Sequence, residues 1–102
     1  MIPLRGWRDI MARSEVEIIY AGHVQGVGFR FTVKQLARGY DLAGTIRNLP
    51  DGRVVMVVQG EREELESFLQ AIDESGLGPL IVQKETKWRQ VTEGLRGFEI
   101  IS

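Results

Sequence analysis

Cysteine is absent from this chain of 102 residues, and histidine occurs once, as His23. The first absence excludes disulfides and thiolate metal sites, which suits a reducing compartment. Charge of one sign is lacking too. Thirteen basic residues against 14 acidic ones give a net charge of −1, which argues against a broad nucleic-acid footprint. No apolar run approaches the ~18 residues of a membrane-spanning helix. Arg5, Arg8, Asp9 and Arg13 interrupt the opening segment, so no secretory signal is expected. The expectation is a cytoplasmic protein, off the membrane and free of nucleic acid, with one domain burying roughly 65% of its unfolded surface.

Residues 1–13 show no period, and Pro3 and Gly6 would break a helix. They read as a poorly ordered extension, with Met11 as an alternative start, ahead of a domain spanning 14–102. From Glu15 the pattern becomes regular. Val16, Ile18 and Tyr20 alternate with Glu15 and Glu17, the period of a half-buried strand. Phe29, Val33, Leu36, Ala37 and Tyr40 fall on one helical stripe. Leu42 to Asn48 reads as a strand, Leu49-Pro50-Asp51-Gly52 as a turn, and the β-branched run Val54 to Val58 as a central strand. Leu65, Phe68, Leu69 and Ile72 define a second helix, with Glu61, Glu63 and Glu64 near its positive end and Gly76 placed to stop it. Ile81 to Trp88 and Gly97 to Ile101 complete the set. The order β-α-β-β-α-β plus a short terminal strand matches the ferredoxin-like split βαβ plan, an α+β sandwich. Its sheet is expected to be antiparallel, with both helices on one face.

The most informative stretch is Gly22-His23-Val24-Gln25-Gly26-Val27-Gly28-Phe29-Arg30, between the first strand and the first helix. Glycines let backbone amides approach a ligand closely. Those amides and the free N–H groups opening a helix can converge on an anion. Arg30, just inside the helix, adds a planar donor matched to phosphate oxygens. Known phosphate fingerprints do not apply. Thr45 stands where a P-loop starting at Gly39 needs lysine, and Phe31 replaces the third glycine of a dinucleotide loop. By spacing alone, the stretch reads equally as an anion socket or as a tight strand-to-helix connection.

The same nine residues resemble the first signature of the acylphosphatase family. Gly44-Thr45-Ile46-Arg47-Asn48, followed by Gly52, Val54 and Gly60, resembles the second. The similarity runs over roughly 14–102, including Gly97-Phe98-Glu99-Ile100. It implies the ferredoxin-like sandwich and hydrolysis of acyl phosphates to a carboxylate and inorganic phosphate, without metal or cofactor. It also implies that Arg30 binds the phosphoryl group, with Gly22, Gln25, Gly26, Val27 and Gly28 forming the substrate-binding loop, and that Asn48 positions the attacking water. A monomer is expected. Three positions depart from the family pattern: Thr45 replaces a usual aromatic, Ile46 is bulkier than usual, and Tyr20 replaces an aliphatic residue. On a regular strand Thr45 and Asn48 point to opposite faces, so that change should affect packing more than chemistry.

Other readings use the same residues. Asn48 could be a turn residue, and His23 fills a variable slot of the motif, which makes it a spectator. Trp88, Tyr20 and Tyr40 read as core or core margin, and Glu61 to Glu66 as a solvated helix face. A regulatory module that binds phosphate compounds without turnover is the alternative function. An RNA-binding sheet would need exposed aromatics on a central strand, which Val54 to Val58 does not supply. An acylphosphatase-like module heading a longer, cysteine-rich hydrogenase-maturation protein is a further relative of the pattern. The absence of cysteine, and an end at Ser102, set the expectation against it.

Overall fold

A computed structural model describes residues 13–102. The chain runs through β1 (Arg13–Gly22), α1 (Phe29–Ala37), β2 (Leu42–Asn48), β3 (Val54–Glu61), α2 (Arg62–Glu74), a 3-10 turn (Gly78–Leu80), β4 (Ile81–Gln90) and β5 (Phe98–Ile100). The expected extension over 1–13, and the alternative start at Met11, lie outside the described residues except for Arg13, which opens β1. No helix among the described residues is long and apolar enough to cross a membrane.

The strands form one sheet in the order β4-β1-β3-β2-β5. It is antiparallel from β4 through β2. β5 then joins β2 in parallel, pairing Gly44 with Phe98 and Ile46 with Ile100, so the sheet is mixed. The reason is the connection. Residues 91–97 carry the chain from one edge of the sheet to the other, and β5 returns alongside β2 instead of hairpinning onto β4.

Side chains alternate across the sheet, and both helices cover the same face. Val16, Ile18 and Tyr20 of β1, Ile46 of β2, and Val54, Met56 and Val58 of β3 meet Phe29 and Val33 of α1 and Leu65, Phe68 and Ile72 of α2 in one buried cluster. The stripe read through Tyr40 outlasts its helix. Arg38, Gly39 and Tyr40 donate instead to the carbonyls of Gln35, Leu36 and Ala37, three residues back, tightening the end as helix termini often do. Tyr40 still reaches the core, 5.5 Å from the Phe68 ring, which also meets Phe98 at 6.2 Å. Trp88 lies at the core margin as expected, beneath the Arg62 guanidinium at 3.9 Å.

The face opposite the helices is organised by Gln59, 1% exposed on β3. Its amide donates to Glu15 Oε1 and to the Glu93 carbonyl, both at 2.7 Å, while its own oxygen accepts from the Leu95 amide at 2.8 Å. One buried glutamine therefore satisfies itself and fastens the crossing segment to the sheet. Arg89 completes the group by donating to Glu15 Oε2. Burial alone would raise the Glu15 carboxyl, but the hydrogen bonds from Gln59 and Arg89, with the guanidinium charge, outweigh it. Together they hold the group below its ordinary 4.5.

Tyr20 is the opposite case. It is fully buried, with its ring 5.2 Å from Phe29, and its hydroxyl has no hydrogen-bond partner among the described residues. Burial, reinforced by the Asp73 charge, pushes that hydroxyl far above its ordinary value.

Two outcomes follow for stability. Phe68→Ala should cost about 3–5 kcal/mol through loss of a buried ring, whereas Tyr20→Phe should stabilise by about 1 kcal/mol by removing an unsatisfied buried hydroxyl; urea unfolding measures both. Because the folded Glu15 value is depressed, its contribution is full above the unfolded value and fades as pH falls through the folded one. Stability should therefore drop as pH falls below about 4.5, and Glu15→Gln should flatten that part of the curve.

Candidate active site

The loop between β1 and α1 is built on positive-φ glycines: Gly22 at 134°, Gly26 at 77° and Gly28 at 76°. They serve two purposes. At Gly22 an added Cβ would collide with the Leu80 carbonyl oxygen and lie 2.8 Å from the Val82 amide nitrogen, so this glycine lets β1 pass β4 while the His23 amide bonds to Leu80 at 2.9 Å. At Gly26 and Gly28 a Cβ would meet nothing within 4 Å. There the backbone conformation alone demands glycine, and the space above stays open.

Gly28 caps α1, and no side chain caps the helix or places an acidic group in its first turn. The first N–H groups of α1 thus have no capping side chain and no acidic neighbour in the first turn, an arrangement compatible with an anion. Gly26, Gly28 and Arg30 line a cleft of about 160 Å³, whose other walls are Val24, Phe29, Phe31 and Ile100. Arg30 is half-buried and makes no ion pair among the described residues. Of the residues expected at the site, three therefore share one cleft. His23 is exposed and does not line it, in keeping with a spectator.

Asn48 ends β2 opposite Val54. It lies two residues from the buried Ile46 and so points to the helix-covered face. It is not on the wall of the cleft, but its Oδ1 is buried with no partner among the described residues. Thr45, three residues back, pairs with Val57 on the other face, as expected.

Gln25 holds the two parts together. Its Nε2 donates to the carbonyls of Leu49 and Arg53, each at 2.9 Å. Leu49 and Arg53 are the two ends of the turn after Asn48, closed by Leu49 N–H to Arg53 O at 2.7 Å. Asp51 stiffens that turn by accepting from the Arg53 amide at 3.1 Å and its Nε at 2.8 Å. Those interactions hold the exposed Asp51 carboxyl below its usual range. The Gln25 side chain is thus committed to the hairpin. Among the described residues no group of three His, Cys, Asp or Glu is placed to hold a metal ion.

A family model for acylphosphatase matches residues 16–100. The chain belongs to the acylphosphatase family. It is 35% identical over 91 residues to an acylphosphatase of Thermococcus kodakarensis, covering 89% of this chain and 99% of that one. The crystal structure of acylphosphatase from Bacillus subtilis matches at a TM-score of 0.80 and 32% identity, over 87% of this chain and 99% of that chain. HypF from T. kodakarensis matches at a TM-score of 0.71 and 29% identity, over 88% of this chain but 12% of its own.

Three features of this acylphosphatase fold go beyond the sequence pattern. Phe31 lines the cleft; apolar but two residues from Phe29, it stands off the helical stripe, and that is its one signal in the sequence. Ile100 lines the cleft from the closing motif, and the tie made by Gln25 has no signal in spacing.

The loop makes a graded expectation. Gly22→Ala combines strain with a backbone collision and should cost clearly more stability than Gly28→Ala, where strain alone costs about 1–2 kcal/mol. Gln25→Ala should remove about 1–3 kcal/mol and lower activity through misplacement of the loop relative to Asn48. Paired denaturation and activity measurements check all three.

Proposed function

We propose that hydrolysis of the carboxyl–phosphate bond, the reaction of this family, runs in this chain on the loop Gly22–Gly28, Arg30 and Asn48. The loop amides and the Arg30 guanidinium hold the phosphoryl oxygens, where charge is concentrated throughout the transfer. Asn48 accepts a hydrogen from water through Oδ1 and can donate through Nδ2 without changing its protonation state. Water attacks phosphorus in line with the leaving oxygen. The carboxylate departs with the bonding electrons, and the water's proton passes to a phosphate oxygen. A carboxylate is a good leaving group, so positioning and charge stabilisation suffice, and no metal or cofactor is required.

The observation that carries this reading is the Asn48 oxygen. A buried acceptor left without a partner costs about 1–3 kcal/mol; the Tyr20 hydroxyl is another such group, but its ring packs on Phe29 in the core, whereas Asn48 directly precedes the turn that Gln25 ties to the loop. It sits where the Gln25 tie brings the hairpin against the loop with the uncapped helix end. A water between Asn48 and a bound phosphoryl group is the partner that resolves it.

Arg30→Ala and Asn48→Ala should each lower turnover of a simple acyl phosphate by on the order of 10²-fold or more. Asn48→Ala should do so with unfolding stability unchanged or raised, since it removes an unpartnered acceptor. Chelators should leave wild-type turnover intact, and inorganic phosphate should inhibit it. Phosphate binding with no turnover of any acyl phosphate would establish the non-catalytic anion module instead.

A further inference from the structure

Residues 91–97, which carry the chain from β4 to β5, include no buried residue; Val91 and Leu95 are half-buried and the others exposed. Apolar burial therefore holds this segment weakly. Its attachment is polar and runs to one side chain. Gln59, on the sheet face opposite the helices, donates to the Glu93 carbonyl and accepts from the Leu95 amide. Two residues further on, the Gly97 carbonyl accepts from the Gly44 amide at 2.8 Å, and there β5 begins its pairing with β2. β5 has only three residues, extended by the Ile101 amide on the Ile46 carbonyl at 2.9 Å. A ladder this short gains little against the freedom of an unpinned connection. Yet β5 packs against α1 as well as β2, and its Ile100 shares the cleft with Phe29 and Arg30.

We infer that Gln59 is a positioning residue for the phosphoryl site. By pinning Glu93 and Leu95 on one face of the sheet it keeps β5 seated at the margin, and a seated β5 holds the first turn of α1, with Arg30, in the arrangement that binds the anion. This rests on the reading of Arg30 and the loop as that site. Gln59 lies across the sheet from the cleft, so its influence runs through segment 91–97 and β5. The two move as one strap. When the Gln59 bonds break, the amides of Leu95, Gly44 and Ile101 lose their partners together, and α1 loses the strand beside its first turn. An anion then binds the seated form alone. Apparent affinity falls in proportion to the seated fraction, while the chemistry of bound substrate is untouched.

Hydrogen exchange with and without inorganic phosphate tests this in the unaltered chain. The Leu95, Gly44 and Ile101 amides should share one protection factor, lower than that of the β1–β3 ladder. Phosphate at about a hundred times its inhibition constant should raise all three by about a hundredfold. Gln59→Leu leaves Glu15 its ion pair with Arg89. It should lower the shared protection by about thirtyfold, the worth of two hydrogen bonds. In that variant KM for acetyl phosphate and the inhibition constant of phosphate should rise by one common factor, about threefold or more, with kcat unchanged. Unequal protection of the three amides, or protection that phosphate does not raise, overturns the inference. So does faster exchange in Gln59→Leu with KM and phosphate inhibition unmoved, or a loss confined to kcat. If Gln59→Leu does not fold, the phosphate-linked protection in wild type decides. Phosphate binding by wild type without turnover of acetyl phosphate defeats the catalytic reading instead, and phosphate affinity in Gln59→Leu then decides the inference. Absence of phosphate binding overturns both.

Discussion

The carboxamide of Gln25 donates to both carbonyls that bracket the Leu49–Arg53 turn, and the relation between the loop and β2 depends on those two hydrogen bonds. Without them, a glycine-rich loop whose open positions touch nothing would be a flexible connection beside an unrelated hairpin. With them, the backbone amides ahead of α1 and the end of β2 share one frame. A reaction that relies on positioning more than on acid–base power needs such a frame, because small displacements of reacting groups are costly. A side chain inside the signature motif is thus spent on geometry.

Much of the fold was legible because its periods are unambiguous. The alternation through Val16, Ile18 and Tyr20 and the stripe from Phe29 to Ala37 encode which face is buried, and burial is what a period reports. The parallel seating of β5 was not legible. It follows from a crossing segment whose course is fixed by Gln59, a residue that in sequence simply continues a β-branched run. The end of α1 is not legible either, since apolar spacing continues past Gly39 to Tyr40 while the backbone tightens after Ala37. At the site, loop chemistry alone leaves the glycines and Arg30 balanced between an anion socket and a tight connection, and the proposed roles of both Arg30 and Asn48 come from the family resemblance. The decisive property of Asn48, a buried oxygen without a partner, exists only once the chain is folded.

Two glutamines divide the structural work between them. Gln25 joins the loop to the turn of the hairpin, and Gln59 fastens the crossing segment to the sheet face opposite the helices. Each is a neutral side chain that satisfies backbone groups, so neither link depends on a proton. Acid sensitivity enters instead through two carboxylates, Glu15 beside Gln59 on the sheet face opposite the helices and Asp51 in the turn that Gln25 holds, both kept below their ordinary values by hydrogen-bonded partners.

The position of β5 has a consequence beyond the wall it lends to the cleft. By lying along β2, the three residues of β5 replace a seven-residue strand with a very short one at that margin of the sheet, leaving another chain little backbone to meet. The opposite margin belongs to β4, ten residues long and exposed along most of its length. There Lys84, Glu85, Lys87 and Arg89 crowd the edge with charge, the device by which open strands discourage accretion. One margin of the sheet is guarded by the shortness of its strand, the other by hydrated charge.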